Sequence, residues 1–235
     1  MNIRILLILA AALGIGLGYS GASPTEQAAA RAATMPAAPH IVYLSAPDAV
    51  HGQMTAQTAQ RLGAELQPNW AAVQQTAQAQ PLDALLVVRD QFAELSDADR
   101  GWLRRQIEEG VVVVGIGIDI ELFSAALGLP SLRDPGEAPA PIGEDGYYLF
   151  RALLLGAPED VQAMRDANWL ERSILDDPVQ IDTKKPLMGA WGTSRGKLAN
   201  EQDVQAFYND LSGWIEDVYK DRANLQQLLV EEQSQ

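Results

Sequence analysis

Apolar residues in this chain come in short unbroken runs, set apart by stretches with one apolar face. Ile41–Leu44, Asp83–Val88 and Val111–Ile116 are apolar at nearly every consecutive position, the pattern of strands covered on both faces. Between them the spacing predicts helices. Residues 50–63 suit one that ends at Gly63, and Trp70–Ala79 a second, stopped by Pro81. Asp97–Glu109 reads as a third, with Ser96 as its N-cap, Asp97 and Asp99 in its first turn and Gly110 beyond its end. Glu121–Leu127 is a fourth, closed by Gly128, and Glu65–Gln67 fits a short strand. Buried strands alternating with helices predict an α/β domain with a doubly wound, mostly parallel sheet in three layers, flavodoxin-like.

The second half is less regular. Pro130, Pro135, Pro139 and Pro141 punctuate a loop over 129–145 that is placed to fill or leave open the crevice beside Gly117. Gly146–Leu155 reads as a strand, 158–175 as helical, and 176–199 as loop-rich, with Trp191 set between Gly189 and Gly192 and expected to be exposed. A last helix over 201–231 carries Val204, Phe207, Leu211, Trp214, Val218, Leu225 and Leu228 at intervals of three and four. Its first half is expected to pack on the domain, leaving Leu225, Leu228 and Leu229 for a partner.

The N-terminus has another character. Arg4 precedes an apolar run over 5–17 that ends in small residues at Ser20 and Ala22. This is the pattern of a signal peptide or membrane-anchor helix over 1–22, with residues 3–19 holding the membrane if uncleaved. An Ala- and Pro-rich linker over 23–39 then leads to a single domain over 40–235. The domain is expected outside the cytoplasm, secreted or anchored. The chain has no cysteine, so it contains no disulfide, zinc-thiolate site or thiol nucleophile. A formal net charge of -14 over 235 residues opposes nucleic acid as a partner.

In a parallel sheet, the loops after the strands would bring Ser45, Asp48, His51, Arg89, Asp90, Gly117, Asp119 and Glu121 to one crevice. Asp48, Asp90, Asp119 and Glu121 could hold a hard divalent cation, and His51 could act as a base. The simpler expectation is that Asp119 and Glu121 cap and charge the helix they begin, and that Arg89 pairs with Asp90 or Asp119. No cofactor is called for. Ser194 and Lys197 have the Ser-x-x-Lys spacing of penicillin-recognising enzymes, but Gly196 argues against the helix that chemistry needs. The apparent phosphate loop at 192–197 lacks its first glycine, replaced by Trp191.

The stretch Gly115-Ile-Gly-Ile-Asp-Ile-Glu-Leu-Phe-Ser-Ala-Ala-Leu-Gly128 resembles the nucleophile elbow of class I glutamine amidotransferase-like domains, and the likeness extends over about residues 40–130. That elbow has the form Gly-x-Cys-x-Gly-x-Gln. Here Gly117 stands at the cysteine, Asp119 at the second glycine and Glu121 at the glutamine. The family also needs a histidine from later in the chain, whereas His40 and His51 both precede the elbow. The resemblance implies a degenerate, non-catalytic relative. The expectation is a binding or scaffolding domain of the cell envelope with a protein or small-ligand partner. A metal-assisted hydrolase and an accessory subunit of a membrane complex are the alternatives.

Overall fold

The computed structural model describes residues 2–8, 38–46, 50–132, 145–181 and 186–233. Most of the predicted linker, the remainder of the N-terminal apolar run, Asp48, and most of the proline-rich loop lie outside the described residues. The strands are β1 (Asn2–Ile8), β2 (Ile41–Leu44), β3 (Val50–His51), β4 (Met54–Thr55), β5 (Glu65–Gln67), β6 (Ala84–Val88), β7 (Val112–Ile116), β8 (Gly146–Leu155) and β9 (Leu187–Lys197). The helices, numbered in chain order, are α1 (Ala56–Arg61), α2 (Trp70–Ala79), α3 (Arg89–Ala93), α4 (Asp97–Glu108), α5 (Ile120–Ala126), α6 (Pro158–Asp166), α7 (Trp169–Ile174) and α8 (Glu201–Gln233).

Seven strands form one sheet in the order β1-β9-β8-β7-β6-β2-β5. β5, β2, β6 and β7 run parallel, with Leu44 opposite Val87 and Val88 opposite Ile116. β8, β9 and β1 each pair antiparallel with the strand before them in the sheet. The α/β class and the parallel half match the sequence pattern. The antiparallel half is an addition to it.

Alternation along each strand divides the core. Val42, Leu44, Leu85, Val87 and Val113 share a buried cluster with Trp70, Leu103, Ile107, Phe123 and Trp169, so α2, α4, α5 and α7 cover one face. Ile41, Tyr43, Leu86, Val112, Val114 and Ile116 cluster with Ala59, Phe207, Leu211, Trp214 and Ile215, so α1 and α8 cover the other. The predicted Ser96 cap is present as a full capping box with Asp99.

Several elements depart from the sequence reading. Residues 2–8, expected to start a signal or anchor helix, form an edge strand on β9. Among the described residues no helix is long and apolar enough to cross a membrane. The helix over 50–63 is shortened to α1, because Gly52 at φ +59 turns the chain into the β3–β4 hairpin first. The helix over 158–175 is two, broken where Asn168 adopts φ 53. Residues 187–197, expected as loop, are the eleven-residue β9. Its glycines make room for rings. A Cβ on Gly189 would sit 3.0 Å from Trp169, and one on Gly196 2.7 Å from Tyr147.

Trp191 accordingly lies in a strand, half-buried, with its ring centre 6.4 Å from that of Phe150. Leu225, expected to be free, packs in a small cluster with Leu153, Met188 and Val218, while Leu228 is half-buried. The side chain of Leu229 lies outside the described residues.

Polar contacts fix α8 to the sheet. Arg151 in β8 is 3% exposed and donates from Nη1 to Asp221 Oδ2 at 3.1 Å, with its guanidinium 5.3 Å from the centre of the Trp214 ring. Asp210 accepts from Ser194, Tyr147 and the Trp214 indole. Burial first, and then Asp210, push the Tyr147 hydroxyl well above its ordinary value. Ser194 is thus a strand residue bonded to a helix, remote from the arrangement a Ser-x-x-Lys site needs.

Candidate functional site

β7 ends at Ile116 and the chain turns at Gly117, whose φ of +68 belongs to the left-handed region that favours glycine. Its N–H donates to Gly146 O at 2.8 Å, tying the turn to the start of β8. Asp119 then caps α5: its Oδ1 accepts the Leu122 N–H at 2.8 Å. The strand–turn–helix is held tight by one missing side chain. A Cβ on Gly115 would come within 2.6 Å of Ile118 and 2.7 Å of Phe123. Phe123 is fully buried there, edge-on to Phe92 at 5.6 Å and stacked with Tyr148 at 6.4 Å.

Among the described residues, Ser45, Arg89, Asp90, Gly117, Asp119 and Glu121 follow strands β2, β6 and β7 at one end of the sheet. Parallel register sets the loops after β2, β6 and β7 side by side. The β3–β4 hairpin joins them through Gln53 N–H, which donates to Leu198 O at 2.7 Å just after β9. Ser45 is buried and spends its hydroxyl on Ala46 O at 2.8 Å. Arg89 and Asp90 are exposed at the start of α3, with Asp90 in its first turn. The expected pairing of Arg89 with Asp90 or Asp119 is not found among the described residues. Solvent at an exposed helix start leaves such a pair little to gain. Glu121 accepts from Ser131 Oγ at 3.0 Å. His51 lies in β3, and its side chain falls outside the described residues, as does Asp48.

The helix-cap expectation for Asp119 therefore holds. Among the described residues no three His, Asp or Glu side chains are grouped to hold a metal ion. Calcium or magnesium should leave the melting temperature of the protein unchanged. Asp119→Ala should cost about 1 kcal/mol through the lost cap, and Asp119→Asn less, since asparagine caps as well. A cation-dependent rise in melting temperature that disappears in Asp119→Asn would reverse this assignment.

Comparison with family models, curated proteins and solved structures finds no match to this chain. The site must be read from its own residues.

Tyr148 belongs to it and was not foreseen. β8 runs antiparallel to β7 and sets Tyr148 opposite Gly115. Burial raises the pKa of its hydroxyl, and the carboxylates of Asp119 and Glu121 raise it further. Like any tyrosine at neutral pH, it keeps its proton and can donate a hydrogen bond. Gln91 in α3 was also missed. It is buried, its carbonyl O accepts the Trp70 indole N–H at 2.9 Å, and its Oε1 has no partner among the described residues. Gln91 lies in a five-residue helix too short to show a period, and Tyr148 in a strand whose neighbour and direction its own residues do not reveal.

The only histidine with a described side chain is His40. It sits before β2 at the opposite end of the sheet, with Nδ1 3.0 Å from Pro81 O and Nε2 3.4 Å from Glu65. Among the described residues Trp169, Trp214, Tyr147 and Tyr148 are core residues, so their rings line no open groove. The proline-rich loop is described only to residue 132. Leu129 and Leu132 are buried in the Phe123 cluster, and Ser124 accepts the Leu129 and Leu132 N–H groups through its carbonyl and its hydroxyl.

Proposed function

We propose that this is a non-catalytic α/β binding or scaffolding domain that works outside the cytoplasm, at the cell envelope. One observation carries the non-catalytic reading. The apex of the elbow is Gly117, in a left-handed conformation and with no side chain to attack a substrate. Around it stand a protonated tyrosine, a capping aspartate and a glutamate bonded to a serine. A thiol is lacking from the whole chain, and His40 is committed at the far end of the sheet. No thiol and no apex side chain supply a nucleophile here, and the Ser45 hydroxyl is spent on Ala46 O. The likeness to glutamine amidotransferase-like domains supports the same reading, as a scaffold kept without its chemistry.

The envelope address rests on Arg4 and the apolar run that follows it. A reporter active only in the cytoplasm, fused after residue 40, is expected to be silent, and strong cytoplasmic signal would remove the address. Glutamine incubated with the purified protein is expected to release no ammonia above the blank. Release that a Gly117 substitution abolishes would overturn the non-catalytic reading.

A further inference from the structure

The two edges of the sheet are built differently. At one end β5 is three residues long and begins with the exposed Glu65. Brevity and charge are the usual protection against strand addition. At the other end, next to the edge strand β1, β9 is eleven residues long, and from Leu187 to Ser194 it carries no charge and no proline. Ten successive pairings join it to β8, from Gly146–Lys197 to Leu155–Met188. An edge so long, regular and uncharged is a template for another strand. In this chain the template is in use. Residues 2–8 lie antiparallel along it in seven consecutive pairings, from Asn2–Thr193 to Ile8–Leu187.

Those seven residues lie within the segment over 1–22 read above as a signal or anchor, and residues 5–8 begin its apolar run. They cannot lie on β9 and also enter a membrane or be cleaved away. We propose that the outer edge of β9 is a docking surface for an extended apolar strand of a partner protein, added antiparallel, whose place residues 2–8 hold until they leave the domain. The proposal rests on the envelope reading for the departure of residues 2–8. The seated segment states the chemistry of the occupant: an extended stretch of about seven residues, mostly aliphatic, able to match backbone groups from Leu187 to Thr193. A second copy of β9 fits less well. Gly189, Gly192 and Gly196 would leave much of such a pairing without the side-chain contacts that stabilise a sheet.

The absence of cysteine allows a direct test in the full chain. Ile5→Pro with Leu7→Pro removes two backbone donors from β1 and vacates the edge. The probe is a synthetic peptide of residues 2–8 with a lysine tail and cysteine in place of Ile5. Offered to the vacated chain carrying Ala190→Cys, opposite Ile5 in the register, it is expected to form a disulfide on mild oxidation. Yield should fall about tenfold with Thr193→Cys, three positions out of register, and as far with a peptide that contains proline. Equal yields at 190 and 193, or yield no better than a scrambled peptide, would overturn the proposal. So would dimerisation of the vacated chain without peptide, which makes a second copy the occupant.

If the proline variant does not fold, the chain with Ile5→Cys and Ala190→Cys gives the same answer. Its internal disulfide should form readily, and the peptide lacking cysteine should slow it, whereas no slowing counts against docking. Because these readouts concern only the edge, they stand apart from the reporter fusion. Docking with a cytoplasmic reporter signal keeps the edge and discards the envelope address, and the reverse result discards the edge alone.

Discussion

Asp221→Ala is expected to destabilise the protein by about 3–5 kcal/mol, the cost of leaving a buried charge without its partner. Arg151 is 3% exposed in the middle of β8, and Asp221 is the carboxylate that answers it. The Nε of Arg151 already lacks a partner among the described residues. Removing both charges should cost much less: Arg151→Met with Asp221→Leu is expected to recover most of the loss. Urea unfolding of the two singles and the double measures the coupling. A single-variant loss below about 1 kcal/mol would mean that water reaches Arg151.

The same pair sets a pH dependence. Burial raises the Asp221 pKa and outweighs Arg151, which lowers it. A carboxyl with a raised folded value binds its proton more tightly in the native than in the unfolded protein. Between the ordinary aspartate range and that raised value, its contribution to stability therefore falls as pH rises and returns as pH drops. Asp221→Asn should remove this slope. A wild-type slope of the opposite sign that vanishes in the variant would show Arg151 winning over burial.

Phe123→Ala is the second large effect, about 3–5 kcal/mol for a fully buried ring. This ring fills the space that Gly115 leaves open at the elbow, so the two positions should be coupled. Gly115→Ala alone is expected to cost about 1–3 kcal/mol by overpacking Ile118 and Phe123. The double variant should cost clearly less than the two losses added, because the new methyl enters the vacated space. Strict additivity in thermal or urea unfolding would mean that the Gly115–Phe123 contact does not hold the turn.

Residues around the site show where legibility ends. Asp119 was readable as a cap because an N-cap bonds to a backbone group three residues on. Gly117 was readable as a turn because it stands between an aliphatic strand and an amphipathic helix. Tyr148 was not readable, for it reaches the elbow from 31 residues away by a register that β8 and β7 choose together. Trp191 was misjudged for a related reason. Its glycine neighbours look like a loop in sequence, but Gly189 makes room for the Trp169 ring on another element.

What the sequence by itself determined is the part of this protein governed by near neighbours. Ile41–Leu44, Ala84–Val88 and Val112–Ile116 are strands because unbroken apolar runs must be covered on both faces. The helix from Asp97 begins where Ser96 and Asp99 satisfy each other's backbone groups. Tertiary structure alone decided the antiparallel return of β8 and β9, the burial of Arg151 against Asp221, and the place of residues 2–8 on the sheet edge. Each of these depends on hydrogen bonds and packing between segments far apart in the chain. Their energies favour a particular partner and register, and neither has a local residue pattern.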